Sequence, residues 1–179
     1  MVLTEKNKKF IESVASDLQT RLNVSEPNEY ATTTLYDFMT GVGLKIVITD
    51  NETCYLENDT IYLNNKKFSY ENGIFSCKKV DLKILFHELW HGIIKKVTLD
   101  SEKPQTQQYD ESVMTADELA AQYFSRAMLM PAKPFIDKVV KSIGIDGMCN
   151  VFDIADIFHV EYLDVIARGS DLNLWNTKG

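Results

Sequence analysis

LFHELWHGI, residues 85–93, sets two histidines four positions apart with a glutamate directly after the first. In an α-helix, positions i and i+4 lie one turn apart and about 40° apart around the axis. His87 and His91 can therefore turn their imidazoles toward one ion from a single rigid element, and neutral imidazole suits zinc. Glu88 lies beside them, within reach of a water at an open coordination position. Zinc brings the pKa of such a water toward about 7, so that a carboxylate can take its proton as the water attacks a carbonyl. The H-E-x-x-H spacing thus carries a mechanism. The competing reading is a helical histidine pair that is only polar surface.

A catalytic zinc takes three protein ligands and leaves the fourth position to water. The third histidine of the chain, His159, sits in an acidic tail beside an expected turn. Glu118 is the better candidate, 27 residues after His91 and near the start of a second expected helix. A His₂Glu set with its carboxylate on a following helix is the thermolysin-like arrangement. Thr115-Ala-Asp-Glu118 also fits a capping box, in which the glutamate only ties off a helix start. Both readings of Glu118 stay open on position alone. Ala121 and Gln122 share its helical face: a small residue there permits close approach, and Gln122 could orient the carboxylate.

Around this centre, 179 residues suit one domain with a proper core, taken as 1–179, with 35–130 as catalytic part and 131–179 as a helical C-terminal part. A hydrophobic fraction of 45% and a charged fraction of 25% are those of an ordered globular chain. The net charge of −7 argues against a general nucleic-acid binder. No apolar run approaches a membrane span, and the lysines of MVLTEKNKKF precede no apolar stretch of the signal-peptide kind. A cytoplasmic location is expected, with Cys54, Cys77 and Cys149 as reduced thiols, since three widely spaced cysteines form no zinc cluster.

Periodicity places the elements. In TEKNKKFIESVASDLQTRL, Phe10, Val14, Leu18 and Leu22 recur at spacing four with Ile11 and Ala15 beside them, which predicts an amphipathic helix. A shorter helix is expected over TTLYDFMTGVG, with Leu35, Phe38, Met39 and Val42 on one face and Gly41 and Gly43 at its end. LKIVITD reads as a strand, and TCYLENDTIYLNN as two strands joined at Asn58-Asp59. Residues 66–79 are polar, punctuated by Gly73, and read as a loop. Helices follow from Val80 to about Lys96 and from about Val113 to Leu129, separated by the polar stretch TLDSEKPQTQQYDES. A helix with Pro134 in its first turn comes next. VFDIADIFHVEYLDVIARGSDL then reads as two short helices meeting near His159-Val160. The order is that of an α+β domain with a small sheet.

HELWH followed by ELAAQYFSRAMLMP resembles the ImmA/IrrE family of bacterial metallopeptidases. There an HExxH helix precedes a stretch of the form E-x-x-A-N-x-F-A-x-x-L-L-M-P, matched here at Glu118, Ala121, Phe124, Leu129, Met130 and Pro131. NDTIYLNN before the helix, and IADIFHVEYLDVIARGSDL after it, are similar to the family's strand and C-terminal helical pair. The resemblance spans roughly residues 35 to 172. It implies a zincin-like (thermolysin-like) peptidase fold, Zn²⁺ held by His87, His91 and Glu118, and Glu88 as base. It also implies a partner: such proteins often relieve repression by cleaving a helix-turn-helix repressor of a mobile element or phage. A zinc-stabilised anti-repressor that only sequesters that partner is the alternative. The chain departs from the pattern at Trp90, where Gly is usual, at Gln122 for Asn, at Ser125 for Ala and at Glu161 for Ser. Trp90 is expected to fill core space, with a role in substrate choice as the other reading.

Three smaller expectations complete the reading. Tyr109 and His159 are candidate donors to a developing oxyanion. The strand TIYLN could take an extended peptide at its edge. The tail scans as helix-turn-helix, but Asp153, Asp156, Glu161, Asp164 and Asp171 against Arg168 and Lys178 make a poor phosphate-binding surface. It is read as packing.

Overall fold

Two positive-φ residues, Asn58 (46°) and Asp59 (60°), turn the chain back on itself and set the register of the sheet beside the histidine helix. Such a two-residue turn matches the twist of the strands it joins. In a computed structural model, whose described residues are 3–24, 30–97, 116–144 and 147–175, strand β2 (Tyr55–Glu57) pairs through this turn with β3 (Thr60–Asn64). Strand β1 (Lys45–Thr49) lies parallel to β3 on its other side, giving the order β1-β3-β2. The central strand carries the buried side chains Ile61 and Leu63. Its last residue, Asn64, pins the crossover from β1 to β2: its N–H donates to Cys54 Sγ and its side-chain amide to the Asn51 carbonyl.

TIYLN is thus the middle of the sheet, and the expectation that its edge could receive a peptide is corrected. The reason is the parallel return of β1, which fills the side that a plain hairpin would leave open. β2 is the edge strand next to the histidine helix.

Residues 66–79 are also corrected. They form a second hairpin, β4 (Phe68–Glu71) and β5 (Ile74–Cys77), turned at Asn72 (φ 52°) and Gly73 (φ 80°). Phe68 and Phe75 are its buried anchors.

Helix α1 (Glu5–Arg21) is capped by Thr4, whose hydroxyl accepts the Asn7 N–H. It buries Ile11, Ala15, Leu18 and Leu22, whereas Phe10 is 49% exposed. The apolar face is therefore rotated by one residue from the line through Phe10 and Val14. In α2 (Thr32–Gly41) the buried residues are Leu35 and Met39, and Val42 beyond its end is exposed.

A 3-10 turn over Lys79–Asp81 leads into α3 (Leu82–Val97), which carries both histidines. α4 (Ala116–Leu129) packs against α3, α1 and α7 (Tyr162–Asp171). Ala120, Ala121 and Ala127 are buried, and such small side chains let helix backbones approach. The carbonyls that end α4 are satisfied by side chains, as helix ends require. Gln19 donates to Met128 O (2.9 Å) and Arg168 to Met130 O (2.9 Å).

Helix α5 (Ala132–Ser142) has Pro134 in its first turn, and α6 (Val151–Phe158) ends at His159 in the left-handed region (φ 51°). The α6–α7 pair buries Ile154, Phe158 and Val165 in the core, so its helices pack as expected. All three cysteines are free. Among the described residues no helix is long and apolar enough to cross a membrane. The fold is α+β, a small sheet with several helices.

Candidate metal centre

The crossing of α3 and α4 brings His87, His91 and Glu118 together. Their ligating atoms all lie within 4.8 Å of one another, a grouping that could hold a metal ion. His87 Nε2 is 3.0 Å from one Glu118 oxygen, and His91 Nε2 is 3.5 Å from the other. The two Nε2 atoms are 3.3 Å apart. Both imidazoles thus present the same nitrogen to one point, as one helical turn of separation allows. Gly92 matters to this placement: a Cβ there would come within 2.8 Å of Leu44, so its absence lets α3 lie close against the start of β1.

The other imidazole nitrogen of His91 is held. Its Nδ1 lies 3.0 Å from Asp117 Oδ2, a carboxylate that fixes the tautomer leaving Nε2 free to ligate. From position, Gln122 is the expected orienting partner of Glu118. Gln122 lies on the wall of a cavity beside His87, and Asp117 holds His91 in a way no local pattern foretold. No periodicity or motif marked Asp117. Its role depends on where α4 crosses α3.

Electrostatics separate the two histidines. Burial lowers the pKa of His87, which favours the neutral, ligating form. For His91 burial also lowers it, but the hydrogen bond and charge of Asp117 outweigh that and the net shift is upward. Glu88, only 7% exposed, is pushed up to about 7 by burial, with the Glu118 charge adding and His91 and the Leu56 N–H opposing. That hydrogen bond follows from the strand register. Glu57 and Thr60 flank the turn, so Leu56 and Ile61 form the next pair and turn their backbone groups away from each other. Leu56 therefore points its N–H out of the sheet edge, toward α3.

Trp90 is 3% exposed and its ring centroid lies 5.0 Å from that of Phe124, so it fills core space between α3 and α4. His159 serves as the C-cap of α6 and is not part of the cluster. Tyr109 and Thr115 lie outside the described residues, so neither the loop donor nor the capping box is described.

Comparison with models of known protein families finds no match, and comparison with curated proteins finds none.

Proposed function

We propose that the chain is a zinc-dependent endopeptidase of zincin-like fold, acting in the cytoplasm on a partner protein. The substrate class implied by the resemblance to the ImmA/IrrE family is a helix-turn-helix repressor of a mobile element or phage. The observation that carries the reading is the convergence of His87, His91 and Glu118 with Glu88 one residue along the same helix. The two imidazole Nε2 atoms, 3.3 Å apart, are at the separation of ligands about 2.0–2.1 Å from a tetrahedral ion, and each faces a Glu118 oxygen, at 3.0 and 3.5 Å.

His87, His91 and Glu118 would hold the zinc, which when bound would supply Lewis acidity toward a water and a substrate carbonyl. Glu88 is placed to accept the water's proton and to pass it to the leaving nitrogen. Its carboxyl is buried beside His87 and His91, where a carboxylate can serve as a general base. Asp117 holds His91 in one tautomer throughout. The outer edge of β2, which turns Leu56 toward Glu88, is suited to align an extended peptide across the site.

The test is elemental analysis of untagged protein followed by a cleavage assay. Wild type is expected to hold one zinc per chain and Glu118→Ala much less. Glu88→Gln should keep the zinc and lose cleavage of a co-expressed partner repressor. If Glu88→Gln still inactivates the repressor, the protein works by sequestration. Protein that stays metal-free after zinc is offered removes the peptidase reading.

A further inference from the structure

We infer that the cavity beside His87 is a side-chain pocket selective for lysine or arginine, with Glu161 as the residue that discriminates. Calling its ligand a substrate residue rests on the peptidase reading above; the pocket's chemistry does not.

The cavity has a volume of about 450 Å³ and lies between the start of α3, the middle of α4 and the start of α7. That is ample for one long side chain with water, since ligand pockets run from about 300 Å³ upward. His87 is part of its wall, so a group seated there belongs to a residue at or next to the reacting carbonyl. Ser125, fully buried, lines it with its hydroxyl donating to the Gln122 carbonyl.

The charges on the walls decide what fits. Lys83 is paired with the buried Asp164 at 2.5 Å, and Lys67 with Asp81 at 3.8 Å. Arg126 turns to Asp171, which is not a lining residue, through two hydrogen bonds of 2.7 and 3.1 Å. With those three cations matched, Glu161 remains: it stands at the N-cap of α7 without a side-chain cap bond and forms no ion pair among the described residues. The lining therefore carries one unmatched negative charge. An acidic side chain would meet three cations whose charge is already answered and one carboxylate, Glu161, whose charge is not. A purely apolar one would bury against ion pairs and leave Glu161 unanswered. A lysine or arginine side chain can lay its methylenes along Ile84 and Val80, which also line the cavity, and bring its cation to Glu161.

The experiment follows backbone amide shifts of Gln122, Ser125 and Glu161 in the full chain during titration with three probes. These are Nα-acetyl-lysine amide, its norleucine counterpart and its glutamate counterpart. The lysine compound is expected to bind about fivefold more tightly than norleucine, the size of one partly exposed ion pair, with glutamate weakest. Glu161→Gln, at an exposed position, should bring lysine down to the norleucine level. Equal affinities in wild type, or a lysine preference unchanged in Glu161→Gln, overturn the proposal. A proteome-derived peptide library, digested by the zinc-loaded protein and read by mass spectrometry, separates the two readings. Cleavage without basic residues enriched next to the cut bond overturns the pocket's part in substrate choice and leaves the peptidase standing. Selective lysine binding with cleavage of neither the library nor the co-expressed repressor upholds the pocket and removes the peptidase.

Discussion

Across the α3–α4 contact, Asp117 Oδ2 lies 3.0 Å from His91 Nδ1, on the side of the imidazole away from Glu118. One turn of α4 thus brings Glu118 into the cluster that could hold a metal and sets Asp117 against His91. Partners of this kind are worth about 10–100-fold in metal affinity. Asp117→Asn keeps an acceptor but loses the charge, and should weaken zinc about tenfold in a chelator competition. Asp117→Ala should approach the upper figure. The far-ultraviolet spectrum of both should match wild type, and affinities within twofold of wild type would remove Asp117 from the site.

Metal removal gives a stability test that needs no substrate. A ligand at a hundred times its dissociation constant stabilises the folded state by about 2.7 kcal/mol. For a chain of this size, each kcal/mol moves Tm by about 2–4 °C. Adding zinc to chelator-treated wild type should therefore raise Tm by roughly 5–10 °C. His87→Ala and Glu118→Ala should lose most of that rise. The same rise in all three proteins would mean that zinc binds elsewhere.

The site was more legible in the sequence than the frame around it, for a physical reason. His87 and His91 sit on one helix, so their spacing alone fixes their relation. Glu118 needed only a second helix near the first. The relation of Asp117 to His91 needs the angle and depth of the crossing, which no local pattern encodes. In α1 the lines through Phe10 and through Ile11 are both apolar, and only the seat against α4 selects the second. The β4–β5 hairpin leaves little apolar alternation in the sequence because it buries little beyond Phe68 and Phe75. Its readable signal was the dipeptide Asn72-Gly73, a strong marker of a two-residue hairpin turn.

Trp90 packs between α3 and α4, and its indole N–H is buried with no hydrogen-bond partner among the described residues. An orphaned donor of this kind costs about 1–3 kcal/mol. Trp90→Phe removes it and keeps an aromatic ring against Phe124, so the change in stability should stay under about 1.5 kcal/mol. Trp90→Ala leaves a cavity and should cost about 3–5 kcal/mol in urea unfolding. Zinc content should be unchanged in Trp90→Phe. A shifted cleavage pattern in that variant would give the indole a part in substrate choice.

The C-terminal helix is tied to the first through Arg168, which is fully buried. Its guanidinium forms two hydrogen bonds to Glu12 (2.6 and 3.1 Å), donates from Nε to Met130 O and lies 5.5 Å from the Tyr123 ring centre. Tyr123 donates to the same Glu12 carboxylate at 2.9 Å. Removing one member of a buried pair costs about 3–5 kcal/mol, because the other charge is left without its partner. The Glu12 side chain is 26% exposed, so water can answer part of that loss on its side. Arg168→Ala should therefore reach about 3–5 kcal/mol, and Glu12→Ala about 2–3 kcal/mol. Replacing both by apolar residues, Glu12→Leu with Arg168→Met, should cost less than the two single changes added together. The network touches α4 at Tyr123 and the chain just beyond it at Met130, more than a turn past Glu118. Zinc affinity per folded molecule should therefore stay at the wild-type value in each variant that remains folded. A loss of affinity parallel to the loss of stability would mean that α4 transmits its C-terminal anchoring to the metal site.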